Sequence, residues 1–270
     1  MSRLETRFAA LKAEGRAAFV AYVMAGDPDR ETAQTILNGL PAAGADLIEL
    51  GFPFSDPMAE GPPIQRAAQR ALAKGMTLNG VLEMVAEFRK VDADTPIILM
   101  GYTNSLLNWG YAAFARDAAA AGADGMIVVD LPPEEAAPLA EALDANHVSL
   151  IRLATPTSDD ARLATIVKGT TGFVYYVSVA GVTGVKEADA DVVAPAVGRV
   201  RKASGLPVVV GFGIRTPERA AAIARVADGA VVGSALVDEV AAALTSGQDV
   251  VAQVLAKVES LASAVRGARA

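Results

Sequence analysis

The sequence predicts an α/β protein in which all 270 residues form a single (β/α)8 TIM barrel, with an extra N-terminal helix and closing C-terminal helices. Three observations predict this fold. The length matches one such barrel, short apolar segments alternate with alanine-rich helical segments, and no linker or low-complexity segment divides the chain. An open doubly wound sheet would also alternate in this way. However, no G-x-G-x-x-G motif follows the first predicted strand, which disfavours a dinucleotide-binding sheet.

The predicted elements follow from apolar periodicity. At the N-terminus, Leu4, Phe8 and Leu11 recur at helical spacing between Met1 and Gly15, and one or two helices are predicted from residue 237 to residue 270. The other predicted helices include 31–40, 111–120, 134–143, 159–167, 190–202 and 217–227. The eight predicted strands are 18–24, 47–50, 97–101, 125–129, 149–153, 173–177, 208–211 and 230–233.

A short internal repeat supports repeated βα units. Residues 42–46 and 120–124 both have the sequence Ala-Ala-Gly-Ala-Asp, and both precede a predicted strand. The repeat predicts a helix C-cap at Gly44 and at Gly122. Thr216 followed by Pro217 predicts an N-cap and the first residue of a helix.

Composition excludes several classes of function. The hydrophobic fraction of 52% and charged fraction of 20% indicate a globular chain, and the net charge of −7 without a basic patch disfavours nucleic-acid binding. Because there is no cysteine and His147 is the sole histidine, thiolate and multi-histidine metal sites are excluded; His147 precedes the fifth strand and is interpreted as structural. We expect no signal peptide, no membrane span and a cytoplasmic location.

Glu49 in the second predicted strand is the first candidate for catalysis. Because strand side chains alternate, Leu47 and Glu49 share one face, whereas Ile48 and Leu50 share the other. The all-apolar face fits the outer helices, so Glu49 is expected inside the barrel near the C-terminal end of its strand, where barrel active sites form. A poorly solvated carboxyl has a raised pKa and suits general acid–base catalysis. A salt bridge across the barrel mouth is the structural alternative.

The segment that follows, residues 52–65, is long for a βα loop and rich in proline and glycine, which indicates a functional loop. It carries two more carboxylates, Asp56 and Glu60. We expect it to expose Phe52, Phe54 and Met58, an apolar group typical of an interaction surface. Packing of the loop against the barrel is the alternative for these aromatic residues.

Three glycine-bearing turns follow late strands and indicate a phosphate site. They are residues 181–184, residues 211–213 and the pair Gly233-Ser234 ahead of a helix. Glycines let main-chain N–H groups approach an anion, and a helix N-terminus adds a favourable dipole. Ordinary turn and cap glycines are the alternative. Residues 178–189 are typical of a mobile lid, and Tyr175 is placed either to direct its hydroxyl into the barrel mouth or to pack in the core.

The segment Glu49-Leu-Gly-Phe-Pro-Phe-Ser-Asp-Pro-Met-Ala-Glu-Gly-Pro-Pro-Ile-Gln65 resembles the signature of the tryptophan synthase α-subunit family. The resemblance continues in order through residues 25–28, 100–104, 129–133, 175–178, 181–184 and 211–214, and covers the chain from about Thr6 to Val237. It implies retro-aldol cleavage of indole-3-glycerol phosphate to indole and glyceraldehyde 3-phosphate. The indole would pass to a β-subunit for tryptophan synthesis.

The resemblance also implies roles for individual residues. Glu49 would protonate the indole ring as general acid–base, Glu60 would hold the indole N–H, and Tyr175 would orient the substrate. The family usually has aspartate at position 60, so this chain keeps the carboxylate and extends it by one methylene. Thr183 would tie the closed lid to the loop after the second strand. The implied substrate-binding residues are Tyr22, Ile64, Met100, Tyr102, Ile127, Thr183, Gly184, Phe212, Gly213, Gly233 and Ser234.

The partner implied by the resemblance is the β-subunit, in an α2β2 complex. Pyridoxal phosphate is expected in that subunit, and no cofactor or metal is expected in this chain. Leu106 and Leu107 are expected to add exposed apolar surface near the barrel mouth. The interface residues implied by the family are Pro53, Phe54, Asp56, Met58 and Asn104.

Two other functions fit part of the pattern. The first is another phosphate-binding barrel, either a lyase or an isomerase; a Schiff-base aldolase would need a strand lysine, and the predicted strands contain none. The second is a catalytically weak chain that only activates the β-subunit. The presence of Glu49, Tyr175 and both loop carboxylates disfavours this second function.

Overall fold

The barrel prediction is confirmed by the computed structural model, which describes residues 1–178, 190–211 and 213–269. Eight parallel strands pair in chain order, and β8 pairs with β1 to close the ring. All strand boundaries agree with the sequence prediction to within one residue. The strands are β1 (Ala18–Met24), β2 (Leu47–Gly51), β3 (Ile97–Gly101), β4 (Gly125–Val128), β5 (Ser149–Ala154), β6 (Val174–Val177), β7 (Val208–Gly211) and β8 (Gly229–Val232).

The helices lie outside the strands. Those predicted from periodicity are present, although the helix predicted over 134–143 is a 3-10 turn (Pro133–Glu135) followed by α7. Three further helices, α3 to α5, were not among those predicted. The helices are α1 (Arg3–Ala13), α2 (Arg30–Gly39), α3 (Pro62–Ala73), α4 (Leu78–Arg89), α5 (Thr103–Trp109), α6 (Tyr111–Ala121), α7 (Ala137–Asp144), α8 (Asp160–Val167), α9 (Ala190–Ser204), α10 (Pro217–Val226), α11 (Ser234–Ser246) and α12 (Val250–Arg266).

The loop after β2 is shorter than the sequence suggested. We predicted loop to residue 65, whereas Gly61 is an N-cap and α3 begins at Pro62. The prediction was wrong because the proline pair was taken as a loop signal. Proline is tolerated in the first turn of a helix, where its missing N–H has no intrahelical acceptor to lose.

The predicted N-terminal helix is present as α1, and Arg3 at its start bonds to Asp124 just before β4. Ser2 and Glu5 form a capping box, and Leu4, Phe8 and Leu11 are all buried. The Phe8 ring packs on Phe173, just ahead of β6, with ring centroids 5.8 Å apart. At the C-terminus, the predicted closing helices are α11 and α12, and α12 packs against α2, α10 and α11.

The predicted caps have mixed outcomes. Thr216 caps α10 through its side chain, and Gly122 caps the end of α6 in the left-handed conformation with φ of 98°. The C-cap prediction for Gly44 was wrong. Helix α2 ends earlier, at Gly39, and Gly44 lies in the turn that follows with φ of 106°. In both places a positive φ explains the glycine.

The aspartates of the repeat join neighbouring strands at the N-terminal end of the barrel. Asp46 Oδ2 accepts the main-chain N–H of Phe19 at 2.9 Å and Nη1 of Arg16 at 2.8 Å. In the second copy, Asp124 Oδ2 accepts the N–H of Ile97 at 2.8 Å and Nη2 of Arg89 at 2.7 Å. Each buried carboxylate thus satisfies a strand N–H and is neutralised by an arginine.

A third aspartate, outside the repeat, makes the same pair of contacts. Asp228 Oδ2 accepts the N–H of Val208 at 2.8 Å and Nη2 of Arg201 at 2.9 Å. The three aspartates, with their arginines and strand N–H groups, are called the strand-start clamps below. Each aspartate directly precedes the first residue of a strand. All three are therefore at the N-terminal ends of the strands, whereas barrel active sites form at the C-terminal ends.

We predict that Asp124→Asn lowers the free energy of unfolding by about 3 kcal/mol, measured by urea denaturation. The reason is that Asn still offers an acceptor to Ile97 but leaves the Arg89 guanidinium, which is only 10% exposed, without its counter-charge. Asp144→Asn, at an exposed position in α7, is the matched control and should change stability by less than about 0.5 kcal/mol. Equal stabilities for the two variants would contradict a clamp role.

Candidate active site

Glu49 is buried inside the barrel. It lies on β2, its residue is 1% exposed, and it lines a central cavity together with Tyr22 and Tyr175. Neither carboxyl oxygen has a hydrogen-bond partner among the described residues. The expected orientation follows from strand alternation, and the salt-bridge alternative finds no support in the described residues.

Glu60 provides a second carboxyl in the same cavity. Glu60 lies two residues before the start of α3 and is 8% exposed. The main chain around it is fixed, because its N–H donates to the carbonyl of Pro57 at 3.0 Å and its own carbonyl accepts Nε2 of Gln65 at 2.9 Å. The loop after β2 therefore folds back to present a carboxyl to the barrel centre.

Burial changes the ionisation of both acids. Desolvation, reinforced by the charge of Glu60, raises the pKa of Glu49 to about 8. Desolvation raises the pKa of Glu60 to about 7. Near neutral pH Glu49 therefore holds its proton while Glu60 is close to half ionised, and such a divided pair can supply an acid and a counter-charge at once.

Two tyrosines flank Glu49 because glycines at neighbouring strand ends leave them room. A Cβ on Gly51 would lie 2.2 Å from the Tyr22 hydroxyl oxygen, and one on Gly211 would lie 1.8 Å from the Tyr175 hydroxyl oxygen. Burial raises the pKa of both phenols well above the ordinary value, so both remain protonated. Each is a neutral hydrogen-bonding group beside the acids.

The cavity encloses about 530 Å³, including its open mouth. It brings together nine of the residues singled out in the sequence, and it adds Ile214, Arg215 and Val231, which the sequence analysis missed. Thr183, Gly184 and Phe212, with the predicted lid at 179–189, lie outside the described residues. The nine predicted residues at the cavity are Tyr22, Glu49, Glu60, Ile64, Met100, Tyr175, Gly213, Gly233 and Ser234.

Two predicted pocket residues are buried beside the cavity rather than in its lining. Ile127 is fully buried on β4. Tyr102 is buried after β3, where its hydroxyl accepts the N–H of Ala59 at 3.1 Å and its ring stacks on Phe54 at 5.1 Å. Tyr102 therefore holds the loop that carries Glu60.

The glycine turns after β7 and β8 meet on one side of the cavity. Gly213 has φ of 74°, which favours glycine. Gly233 is the N-cap of α11 and Ser234 is its first residue, and both line the cavity. The N-terminus of this thirteen-residue helix offers N–H groups that have no acceptor within the helix and a positive dipole end, which together favour an anion.

The residues expected at a partner interface differ in exposure. Met58 is 78% exposed, Asp56 and Asn104 are exposed, Phe54 is half-buried and Pro53 is buried. The expectation that Phe52 and Leu106 are exposed was wrong. The Phe52 ring fills the space that Gly101 leaves on β3, where a Cβ would lie 2.1 Å from it, and Leu106 is the buried residue of α5. Leu107 is exposed as expected.

Three further observations concern other kinds of site: a catalytic histidine, a metal centre and a membrane-spanning helix. His147 lies in the exposed turn before β5, at the end of the barrel opposite the cavity, as predicted. In the described parts of the chain, no three His, Cys, Asp or Glu side chains are grouped so as to hold a metal ion. No helix there is long and apolar enough to cross a membrane.

We predict that Glu49→Gln raises the melting temperature by at least about 5 °C at pH 8.5 and changes it little at pH 5. The folded-state pKa of Glu49, about 8, lies above the ordinary value of 4.5, so its contribution to stability is lost as pH rises between these values. A neutral amide avoids this loss. Glu141→Gln, at an exposed position in α7, is the control. An equal gain at both pH values would contradict the raised pKa.

Comparison with known proteins agrees with this geometry. A family model described as tryptophan synthase alpha chain matches residues 8–266. The tryptophan synthase alpha chain of Phenylobacterium zucineum is 75% identical over 99% of this chain and 97% of its own length. That of Caulobacter vibrioides is 68% identical with the same coverage.

Solved structures agree over the same extent. A crystal structure of tryptophan synthase subunit alpha from Legionella pneumophila is 42% identical, covers 98% of each chain and has a TM-score of 0.92. A chain from M. tuberculosis tryptophan synthase is 38% identical, covers 98% of this chain and 99% of its own, and has a TM-score of 0.86. The chain therefore belongs to the tryptophan synthase alpha chain family.

Proposed function

We propose that the chain cleaves indole-3-glycerol phosphate into indole and glyceraldehyde 3-phosphate. The observation that carries this proposal is the Glu49 carboxyl, which is buried in the barrel cavity with no hydrogen-bond partner among the described residues and with a pKa raised to about 8. A buried, protonated acid facing a cavity is suited to protonate carbon, which water at neutral pH does poorly. Family membership supports the choice of substrate.

Glu49 acts first as an acid and then as a base. Its carboxyl proton goes to C3 of the indole ring. The bond between C3 and the first carbon of the glycerol chain then breaks, and its electron pair returns to the ring. The hydroxyl on that carbon becomes the aldehyde as the Glu49 carboxylate takes its proton. The protons and electrons balance within the substrate and one side chain.

Glu60 stabilises the charge that this proton transfer creates. Protonation at C3 places positive charge on the ring nitrogen, and an ionised Glu60 accepts the hydrogen bond from its N–H. The lower pKa of Glu60, about 7, lets it ionise while Glu49 keeps its proton. The Tyr175 hydroxyl occupies the space that Gly211 leaves free, and from there it orients the glycerol chain.

The phosphate binds where the turns after β7 and β8 meet. Gly213, Gly233 and Ser234 supply main-chain N–H groups and the N-terminus of α11. This group is remote from the reacting bond, so its binding energy holds C3 at the acid.

We further propose that a β-subunit docks over the barrel mouth and receives the indole. The exposed Met58, Leu107, Asp56 and Asn104, with the half-buried Phe54, support this surface. The cleavage itself needs proton transfers and the breaking of one carbon–carbon bond, which call for no organic cofactor in this chain, and the family resemblance implies pyridoxal phosphate in the β-subunit.

The alternative functions find less support. None of the eight strands contains a lysine that could form a Schiff base. A chain that only activates a partner has no need for a desolvated acid pair, since such a pair reduces stability.

We predict that Glu49→Gln lowers kcat for indole release from indole-3-glycerol phosphate by at least about 100-fold, because the amide N–H is too weakly acidic to protonate carbon. Binding of glycerol 3-phosphate, measured by calorimetry, should stay within about twofold of wild type, since the phosphate site lies after β7 and β8. Both measurements are made with and without a β-subunit. Full activity of Glu49→Gln would show that Glu49 is not the acid. Loss of both activity and glycerol 3-phosphate binding would indicate a distorted cavity instead.

We predict a bell-shaped pH dependence of kcat/KM. Activity should rise as Glu60 ionises near pH 7 and fall as Glu49 ionises near pH 8. Glu60→Gln should remove the rising limb. Because the charge of Glu60 contributes to the raised pKa of Glu49, the same variant should also move the falling limb to lower pH. A rising limb that persists in Glu60→Gln would show that another group ionises there.

A further inference from the structure

Arg215 lies at the rim of the cavity, close to the proposed phosphate site. Among the described residues that line the cavity, it is the one with a positive charge. It follows Gly213 and Ile214 directly and precedes α10, so the turn after β7 that supplies main-chain N–H groups also supplies a guanidinium. Glycine turns and helix dipoles suggested an anion site from the sequence, but they gave no reason to include this arginine.

Asp238 holds the Arg215 side chain in place. Nη2 of Arg215 donates to Oδ2 of Asp238 at 2.5 Å, and Arg66 of α3 approaches the other carboxylate oxygen at 3.8 Å. Asp238 lies in the second turn of α11, the helix whose first residues, Gly233 and Ser234, line the same cavity. The ion pair therefore joins the turn after β7 to the helix after β8.

The ion pair leaves most of the guanidinium available. Arginine has five N–H donors, and the described contact uses one of its nitrogens. The Arg215 side chain is 42% exposed and that of Asp238 is 32% exposed, so the pair is weakly stabilising and water-accessible. With two arginines around one carboxylate, the cluster carries a net positive charge of one at the cavity mouth.

We propose that Arg215 binds the phosphate group of the substrate, and that Asp238 positions its guanidinium for that contact. This inference rests on the proposed function. Arg215 adds a charge-assisted hydrogen bond to the main-chain contacts of the phosphate. It also adds a positive charge at the exposed part of a cavity whose two carboxyls are buried, and so favours one orientation of an anionic substrate.

The contact is remote from the bond that breaks, so it strengthens the ground state and the transition state alike. Loss of such a contact raises KM and leaves kcat unchanged. Loss of a group that acts on the reacting atoms would lower kcat, so kinetics separate the two roles.

The test uses the full-length chain and glycerol 3-phosphate as the probe, with dissociation constants from calorimetry. For Arg215→Gln we expect an approximately tenfold weaker affinity, since hydrogen bonds between charged groups contribute about this much. Arg215→Lys, which keeps the charge but loses the fork, should fall between Arg215→Gln and wild type. With indole-3-glycerol phosphate, Arg215→Gln should show a KM raised about tenfold and a kcat within twofold.

Arg225→Gln is the matched control, because Arg225 is an exposed arginine at the other end of α10. It removes the same charge far from the cavity mouth and should change the affinity by less than about twofold. Added salt should weaken glycerol 3-phosphate binding more steeply in wild type than in Arg215→Gln. Binding of indole, which has no phosphate, should be equal in all the proteins.

The outcomes separate this inference from the function on which it rests. A wild type that cleaves the substrate, with an Arg215→Gln variant of unchanged phosphate affinity, would overturn the inference alone. Equal weakening of glycerol 3-phosphate and indole would also overturn it, since the variant would then have altered the whole cavity. A wild type that neither binds glycerol 3-phosphate nor cleaves the substrate would overturn both.

Discussion

The site depends on the enclosure of a carboxyl group in the apolar interior of a closed barrel. Glu49 has buried leucine and isoleucine neighbours along β2, and its desolvation raises its pKa to about 8. This burial reduces stability whenever the group ionises. A closed ring of eight paired strands surrounds the acid with packed side chains and leaves the cavity mouth as its opening among the described residues.

The carboxylates that join neighbouring strands and the proposed catalytic carboxyls lie toward opposite ends of this barrel. The strand-start clamps of Asp46, Asp124 and Asp228 pair each carboxylate with an arginine and a strand N–H. Glu49, at the other end, has neither kind of partner among the described residues. The same type of functional group is thus paired and structural at the strand starts, whereas Glu49 is buried without such partners and is the proposed acid. The difference lies in the desolvation of Glu49 and in the partners that each location offers.

The sequence predicted those features that depend on residues close together in the chain. The eight strands and the inward orientation of Glu49 follow from apolar runs and from the twofold alternation of strand side chains. The burial of Phe52 could not be predicted, because it depends on the space beside Gly101, which is distant in sequence. The place of Arg215 likewise depends on Asp238, in the helix after the next strand. Such contacts form only when adjacent βα units pack together, so the local sequence pattern does not reveal them.

The rim position of Arg215 is consistent with a proposed anion site that consists mainly of glycines and a helix N-terminus. A fixed cation deep in the cavity would lower the pKa of Glu49 and take away the proton that the proposed reaction needs. Main-chain N–H groups and a helix dipole bind an anion with partial charges whose effect falls off within about one turn. A full positive charge is compatible with the acid only at the rim, where water and the Asp238 carboxylate screen it. In the proposed reaction, the need for a neutral acid at one end of the cavity therefore limits which groups can bind the phosphate at the other.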